Sequence, residues 1–321
     1  SGADEDLTFG LSSAQADLDK LPTLYSKGEA LQYKVSGNTL TASTGTDASA
    51  VTVFTLTVNA NGSWAFDLQD QLDHVAGNGE NMQLVSDTVR GYVNGIDFSS
   101  ILTATDADGD TVTGAAAGSF MITVVDDVPV AVPGPEGGIG ATVREDGMSM
   151  TPADGLPADS SEGNKPADGS TISDEAFGTT EAKNLSNLFK SGADEDLTFG
   201  LSSAQADLAK LPTLFSNGTE LDYSVTNNVL TASAGNITVF TMTVNTDGSW
   251  AFDLQDQLDH VAGNGENRQL VSDNDRGHVN GIDFSSILTA TDADGDTVTG
   301  AAAGSFVITV VDDIPVAAPP F

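Results

Sequence analysis

The chain has 321 residues, with 47 Asp and Glu against 11 Lys and Arg, no cysteine, and a formal charge of −36. These figures exclude a disulfide framework and a thiolate metal site. They also speak against nucleic acid or an anionic membrane as partner, because phosphate recognition needs a basic face. With 39% hydrophobic residues the chain can still build folded cores, and its 34 glycines suit small β-domains rich in turns. The length suggests about two domains.

In chain order, the opening SGADEDLTFG has neither a basic n-region nor an apolar h-region, so it does not read as a signal peptide. It lacks Met and starts within a repeated pattern, so the chain is expected to be a piece of something longer. Ser13 to Lys20 has weak helical periodicity, enough for a turn or two. Leu31 to Val35 and Thr39 to Ala42 form a short hairpin pattern. In Val51 to Val58, Phe54, Leu56 and Val58 share one face. The turn Asn59-Ala60-Asn61-Gly62 follows, and then Trp64, Phe66 and Leu68 alternate again, which is a hairpin signal. Trp64 and its copy Trp250 fall at inward positions and are expected in the core. Asp67 to Val75 could add a helical turn, and Ser119 to Val125 alternates as a strand with Phe120, Ile122 and Val124 inward. No stretch approaches 18 apolar residues, so no bilayer-spanning helix is expected.

Most of this pattern occurs twice. SGADEDLTFGLSSAQADL at Ser1 to Leu18 recurs unchanged at Ser191 to Leu208, and the match runs to VVDDVPVA at Val124 and VVDDIPVA at Val310. Tandem repetition at this level implies a recent duplication. The differences look like surface changes: Asp19 against Ala209, Met82 against Arg268, Val89 against Asp275, Tyr92 against His278. Gly134 to Lys190 has no copy and is rich in Gly, Pro, Ser and acidic residues up to Gly178, after which Ala182 to Phe189 is a short apolar patch, either a helical turn or an edge strand. The expected division is residues 1–133 as a first repeat without its leader, 134–143 as linker, and 144–321 as a second repeat with its leader. Short strands with frequent turns indicate an all-β fold of tandem Ig-like or cadherin-like β-sandwiches.

The acidic residues concentrate in duplicated turns. Asp106, Asp108 and Asp110 alternate around Gly109, and Asp292, Asp294 and Asp296 repeat them. Such carboxylates repel one another unless a cation neutralises them, and hard oxygen ligands at this density suit Ca²⁺. The spacing is not that of an EF-hand, and a solvated acidic turn is the alternative. Asp126 and Asp127, with their copies Asp312 and Asp313, stand between an apolar strand and a proline. They could share a cation with Glu145 and Asp146 at the start of the following unit, or simply end the strand. Weaker candidates are Asp4-Glu5-Asp6 with its copy at Asp194, Asn78 to Asn81 with its copy at Asn264, and Asp97 with Asp283. His74 and His260 have no cysteine or second histidine nearby and read as satisfied structural residues. No nucleophile elbow, zinc-protease motif, phosphate loop or dinucleotide fingerprint is present. A paired-carboxylate glycosidase is disfavoured because the carboxylates sit in polar turns.

The string VFTLTVNANGSWAFDLQDQLDHVAGNGEN, then IDFSSILTATDADGDTV, then GSFMITVVDDVP resembles the tandem repeats of giant bacterial RTX adhesins secreted by type I systems, of the BapA-like and LapA-like kind. The likeness spans both copies and the leader from Arg144. It implies β-sandwich extender repeats that bind Ca²⁺ in and between domains, stiffen outside the cell, and project a distal ligand-binding region during biofilm formation. Its acidic loops map onto Asp106, Asp108, Asp110, Asp126 and Asp127 and their copies. The nonapeptide repeats and secretion signal of whole adhesins are absent from this stretch. The expectation is therefore a non-enzymatic extracellular spacer at the bacterial cell surface. Its partners would be calcium ions and neighbouring repeats; it would be monomeric and would not insert into the membrane. The alternative is an adhesive module that binds sugar or peptide; a secreted hydrolase is the remotest reading.

Overall fold

A computed structural model describes residues 6–45, 49–77, 79–151, 158–164, 172–192, 196–263, 265–272 and 277–315. Strand dominates, and helix is confined to short turns such as Gln15–Leu18 and Gln205–Leu208, so the chain is all-β. Two compact units emerge. The first comprises Ser1–Val128, Gly192–Glu195 and Asp292–Asp296; the second comprises Pro129–Ser191, Asp196–Thr291 and Thr297–Phe321.

The first unit is built on an antiparallel sheet ordered Gln32–Ser36, Thr39–Thr44, Val51–Val58, Trp64–Leu68. Alternation along Val51–Val58 buries Phe54, Leu56 and Val58, and Val53 is buried as well. The following turn closes with the Asn59 N–H donating to the Ser63 carbonyl at 2.7 Å, and Gly62 takes φ +81°, a conformation open to glycine at little cost. A second sheet sets Leu102–Thr105 between Thr8–Leu11 and Thr111–Thr113. Phe98 is fully buried, edge-on to Phe54 at 6.1 Å. Asp67 to Val75 is not helical: the strand runs to Leu68, and His74 then bridges to Leu84.

The second unit repeats this plan and adds to it. Its sheet has five strands, because Glu175–Phe177 pairs antiparallel with Trp250–Leu254, with Glu175 opposite Asp253 and Phe177 opposite Ala251. Ile139–Arg144 pairs parallel with Phe306–Val311 over six residue pairs. The apolar patch before the second copy forms two 3-10 turns, Glu181–Lys183 and Leu185–Leu188, and then the short strand Phe189–Lys190. Val143, Met148, Ala176, Leu185, Leu188 and Phe189 thereby join the second core. Each fully buried Leu contributes about 1.5–3 kcal/mol, so the leader is a structural part of this unit. Among the described residues, no helix is long and apolar enough to cross a membrane.

Two further expectations fail in the first unit. Of Ser119 to Val125, only Met121–Ile122 is strand, whereas the second copy forms the full strand Phe306–Val311. Trp64 is 53% exposed, although Trp250 is 1% exposed. The local sequences are nearly the same, so the cause is tertiary: Trp250 is covered by leader residues.

Candidate metal centres

Asp106, Asp108 and Asp110 come together in the turn between Leu102–Thr105 and Thr111–Thr113. Gly109, at φ +99°, makes the bend, and the Asp106 carboxylate accepts the Asp110 N–H at 2.8 Å. A hydrogen bond with the Asp108 side chain holds Asp106 below the usual carboxylate range. The group is largely exposed. Asp292, Asp294 and Asp296 form the same turn, with Gly295 at φ +105° and the Asp292 carboxylate accepting the Asp296 N–H at 2.8 Å. Here burial, followed by the neighbouring Asp294, pushes Asp292 up to about 7. Asp292 Oδ2, Asp294 Oδ1 and Asp296 Oδ2 are buried without a hydrogen-bond partner. Asp97 and Asp283 serve other turns: Asp97 accepts the N–H groups of Ser99 and Gly118, and Asp283 those of Ser285 and Gly304. Asp4, Glu5, Asp194, Asn78 and Asn264 lie outside the described residues.

Asp126 is buried; its Oδ2 accepts the Asn81 side-chain amide at 2.9 Å and its Oδ1 lies 3.4 Å from His74 Nδ1. Asp127 is exposed. His74 has hydrogen-bond partners in the carbonyls of Leu72 at 2.9 Å and Val124 at 3.3 Å, and its ring also converges with Asp126 and Asp294 as one group of donor atoms.

In the second unit the acidic pair of the leader meets the exit pair of its own repeat. Glu145 and Asp146 lie in a 3-10 turn, Glu145–Gly147, and both are buried. The Glu145 carboxylate accepts the Leu258 N–H at 2.7 Å and the Asp313 N–H at 3.3 Å. Asp312 accepts the Asn267 side-chain amide at 3.1 Å, and Asp313 accepts the Asn164 N–H at 3.2 Å. Burial, reinforced by Asp313, raises Asp146, which Arg144 counters from 3.3 Å. Burial likewise raises Asp312, while His260 lowers it.

His260 departs from the expected satisfied histidine. Its side chain is 3% exposed, and neither ring nitrogen has a hydrogen-bond partner. Nε2 lies 3.4 Å from Glu145 Oε1, and Glu145, His260 and Asp312 converge as one group of donor atoms. An imidazole with two carboxylates is a mixed donor set; it suits a borderline divalent ion such as Zn²⁺ better than Ca²⁺, which takes oxygen.

A third group escaped sequence reasoning. Asp159 and Asp174 of the leader meet Asp253 of the strand Trp250–Leu254. All three are buried. Asp159 accepts the Ser149 N–H, and Asp253 accepts the Gln255 side-chain amide at 2.6 Å. Burial first, and then Asp174 and Asp253, push Asp159 up to about 6. An all-carboxylate set of this kind can hold a hard cation. No local motif announces it, because its members lie far apart in sequence and meet only through strand pairing. No family model matches the chain, and no curated protein or solved structure matches it.

Proposed function

We propose that the chain is a pair of β-sandwich extender repeats from an extracellular bacterial adhesin, stiffened by Ca²⁺ and without catalytic activity. The observation that carries this reading is the buried Asp159–Asp174–Asp253 group, where leader carboxylates face a carboxylate of the sheet. Three carboxylates in one buried place repel one another, and a calcium ion would turn that repulsion into a clamp holding the leader on its repeat. The turns at Asp106 to Asp110 and Asp292 to Asp296 offer further oxygen sets. Their duplication supports a role that benefits from number, as a spacer does. An extracellular β-protein without disulfides needs another staple, and bound calcium supplies one.

Calorimetry and small-angle scattering test the reading. The chain is stripped with EDTA and then returned to millimolar Ca²⁺, a range typical of extracellular modules. The expected result is a rise in melting temperature together with a longer, stiffer particle. No change in either quantity would sink the calcium mechanism.

A further inference from the structure

The second repeat brings one buried imidazole and two carboxylates to a single point, and its backbone explains why. The parallel pairing of Ile139–Arg144 with Phe306–Val311 sets Arg144 beside Val311. The next residue of each strand, Glu145 and Asp312, therefore leaves the sheet side by side. His260 arrives on a third segment, fixed by its bridge to Leu270 and by the Val261 N–H, which donates to the Gln269 carbonyl at 2.8 Å. The Asp312 N–H donates to the Asn267 carbonyl at 3.0 Å, and the Asn267 side-chain amide donates back to Asp312 Oδ2 at 3.1 Å. Glu145 Oε1 accepts the Leu258 N–H and Oε2 the Asp313 N–H. Both carboxylates are thus held in place by the chain itself.

The imidazole is the unsatisfied member. Its side chain is 3% exposed, yet neither ring nitrogen has a hydrogen-bond partner. Burying a polar group unpaired is costly, and native structures rarely keep one without a reason. Nε2 stands 3.4 Å from Glu145 Oε1, longer than an ordinary N–H···O bond. The separation does match two ligands of one ion: donor atoms about 2.0–2.2 Å from a tetrahedral metal lie about 3.3–3.6 Å apart. One atom each from Glu145, His260 and Asp312 lies within 4.8 Å of the others. Asp146 is outside the set, because Arg144 Nε reaches its carboxylate at 3.3 Å.

We propose that Glu145, His260 and Asp312 form a transition-metal site that takes Zn²⁺, separate from the oxygen-only groups assigned to calcium. Imidazole nitrogen is a borderline ligand suited to Zn²⁺, whereas Ca²⁺ takes oxygen. The ion uses His260 Nε2 and one oxygen of each carboxylate, and water takes the fourth position. Asn267 behind Asp312, and the Leu258 and Asp313 N–H groups behind Glu145, are the outer partners that orient the ligands. The bound ion ties the turn Glu145–Gly147, the exit of Phe306–Val311 and the His260 segment of one repeat together. His74, the copy of His260, has both ring nitrogens engaged by the carbonyls of Leu72 and Val124, so it is the weaker ligand. The proposal rests on this geometry and is independent of the adhesin reading and of the calcium clamp at Asp159.

The test strips the full chain with EDTA, removes the chelator, and titrates Zn²⁺, or Co²⁺ as a coloured stand-in, in millimolar Ca²⁺ that fills the oxygen-only groups. The expected result is one Zn²⁺ per chain bound at micromolar Kd or tighter, with Co²⁺ showing the visible bands of a tetrahedral site. The chain has three histidines, His74, His260 and His278, so each can be varied. His260→Gln and Glu145→Gln should each weaken binding by about a hundredfold, since losing even an outer partner costs about 10–100-fold. His74→Gln and His278→Gln should leave it unchanged. The ring signals of His260 in NMR spectra of the native chain should shift with one equivalent of Zn²⁺, a reading that does not depend on any variant folding. Zn²⁺ binding no tighter than millimolar, a tight site that His260→Gln retains, or His260 ring signals unmoved by bound Zn²⁺ overturns the proposal.

Discussion

Glu145 shows how much one side chain can hold in this fold. Its carboxylate takes two backbone N–H groups, from Leu258 and Asp313, in a place closed to water. Truncation strands both donors, so Glu145→Ala should cost about 1–3 kcal/mol per unpaired group, while Glu145→Gln keeps an acceptor and costs less; urea unfolding of the two variants checks the order. Asp159 supplies part of the pH dependence, alongside Asp292. Its folded carboxyl holds a proton up to about pH 6, against 3.8 for the ordinary group. Between those values the folded state binds more protons than the unfolded one, so in EDTA stability should rise as pH falls from 7 through 6. Melting curves across that range should show the rise, and Asp159→Asn should remove part of it, with Asp292, raised to about 7, supplying another part.

At the scale of elements, the leader decides what the second sheet becomes. With Glu175–Phe177 beside it, Trp250–Leu254 is an inner strand; its copy Trp64–Leu68 is an edge. With Ile139–Arg144 beside it, Phe306–Val311 holds six residues in strand, where the first copy holds two. Gly178 is the narrow point of this packing. Gly178→Val in the full chain should destabilise the second unit by about 1–3 kcal/mol through overpacking, read as a lower urea midpoint for Trp250 fluorescence in a Trp64→Phe background. The alternation of Val51–Val58 and its turn was legible because a hairpin is a local object, set by residues within a few positions of one another. The mixed fate of Ser119 to Val125 was not, because a strand's length depends on the neighbour it finds.

For the whole molecule, a charge of −36 opposes compaction of each unit by self-repulsion. Raising NaCl should stabilise the EDTA-treated chain by screening. Millimolar Ca²⁺ at matched ionic strength should stabilise it further if carboxylate groups bind the ion, and equal melting temperatures in the two salts would reduce the ion to a screening role. The units should also melt separately, the first below the second, because among the described residues the second alone includes the strands of 139–190 and the seven buried apolar residues of that segment. Calorimetry of the full chain should resolve two transitions, with Trp64 reporting the lower in a Trp250→Phe background.

Surface substitutions between the copies show what could be read directly: Asp19 and Ala209, Met82 and Arg268 are all exposed. The duplication, the β character, the hairpins and the acidic turns follow from periodicity and composition, which act over a few residues and survive in any context. The candidate centres divide along the same line. Asp106, Asp108 and Asp110 gather within one turn and could be named from spacing alone. Asp159, Asp174 and Asp253, and the orphaned nitrogens of His260 beside Glu145, exist because distant segments pair. Whether a tryptophan in WAFDL is core or surface was likewise decided by tertiary structure, since burial belongs to what lies across from a residue and not to the residue itself.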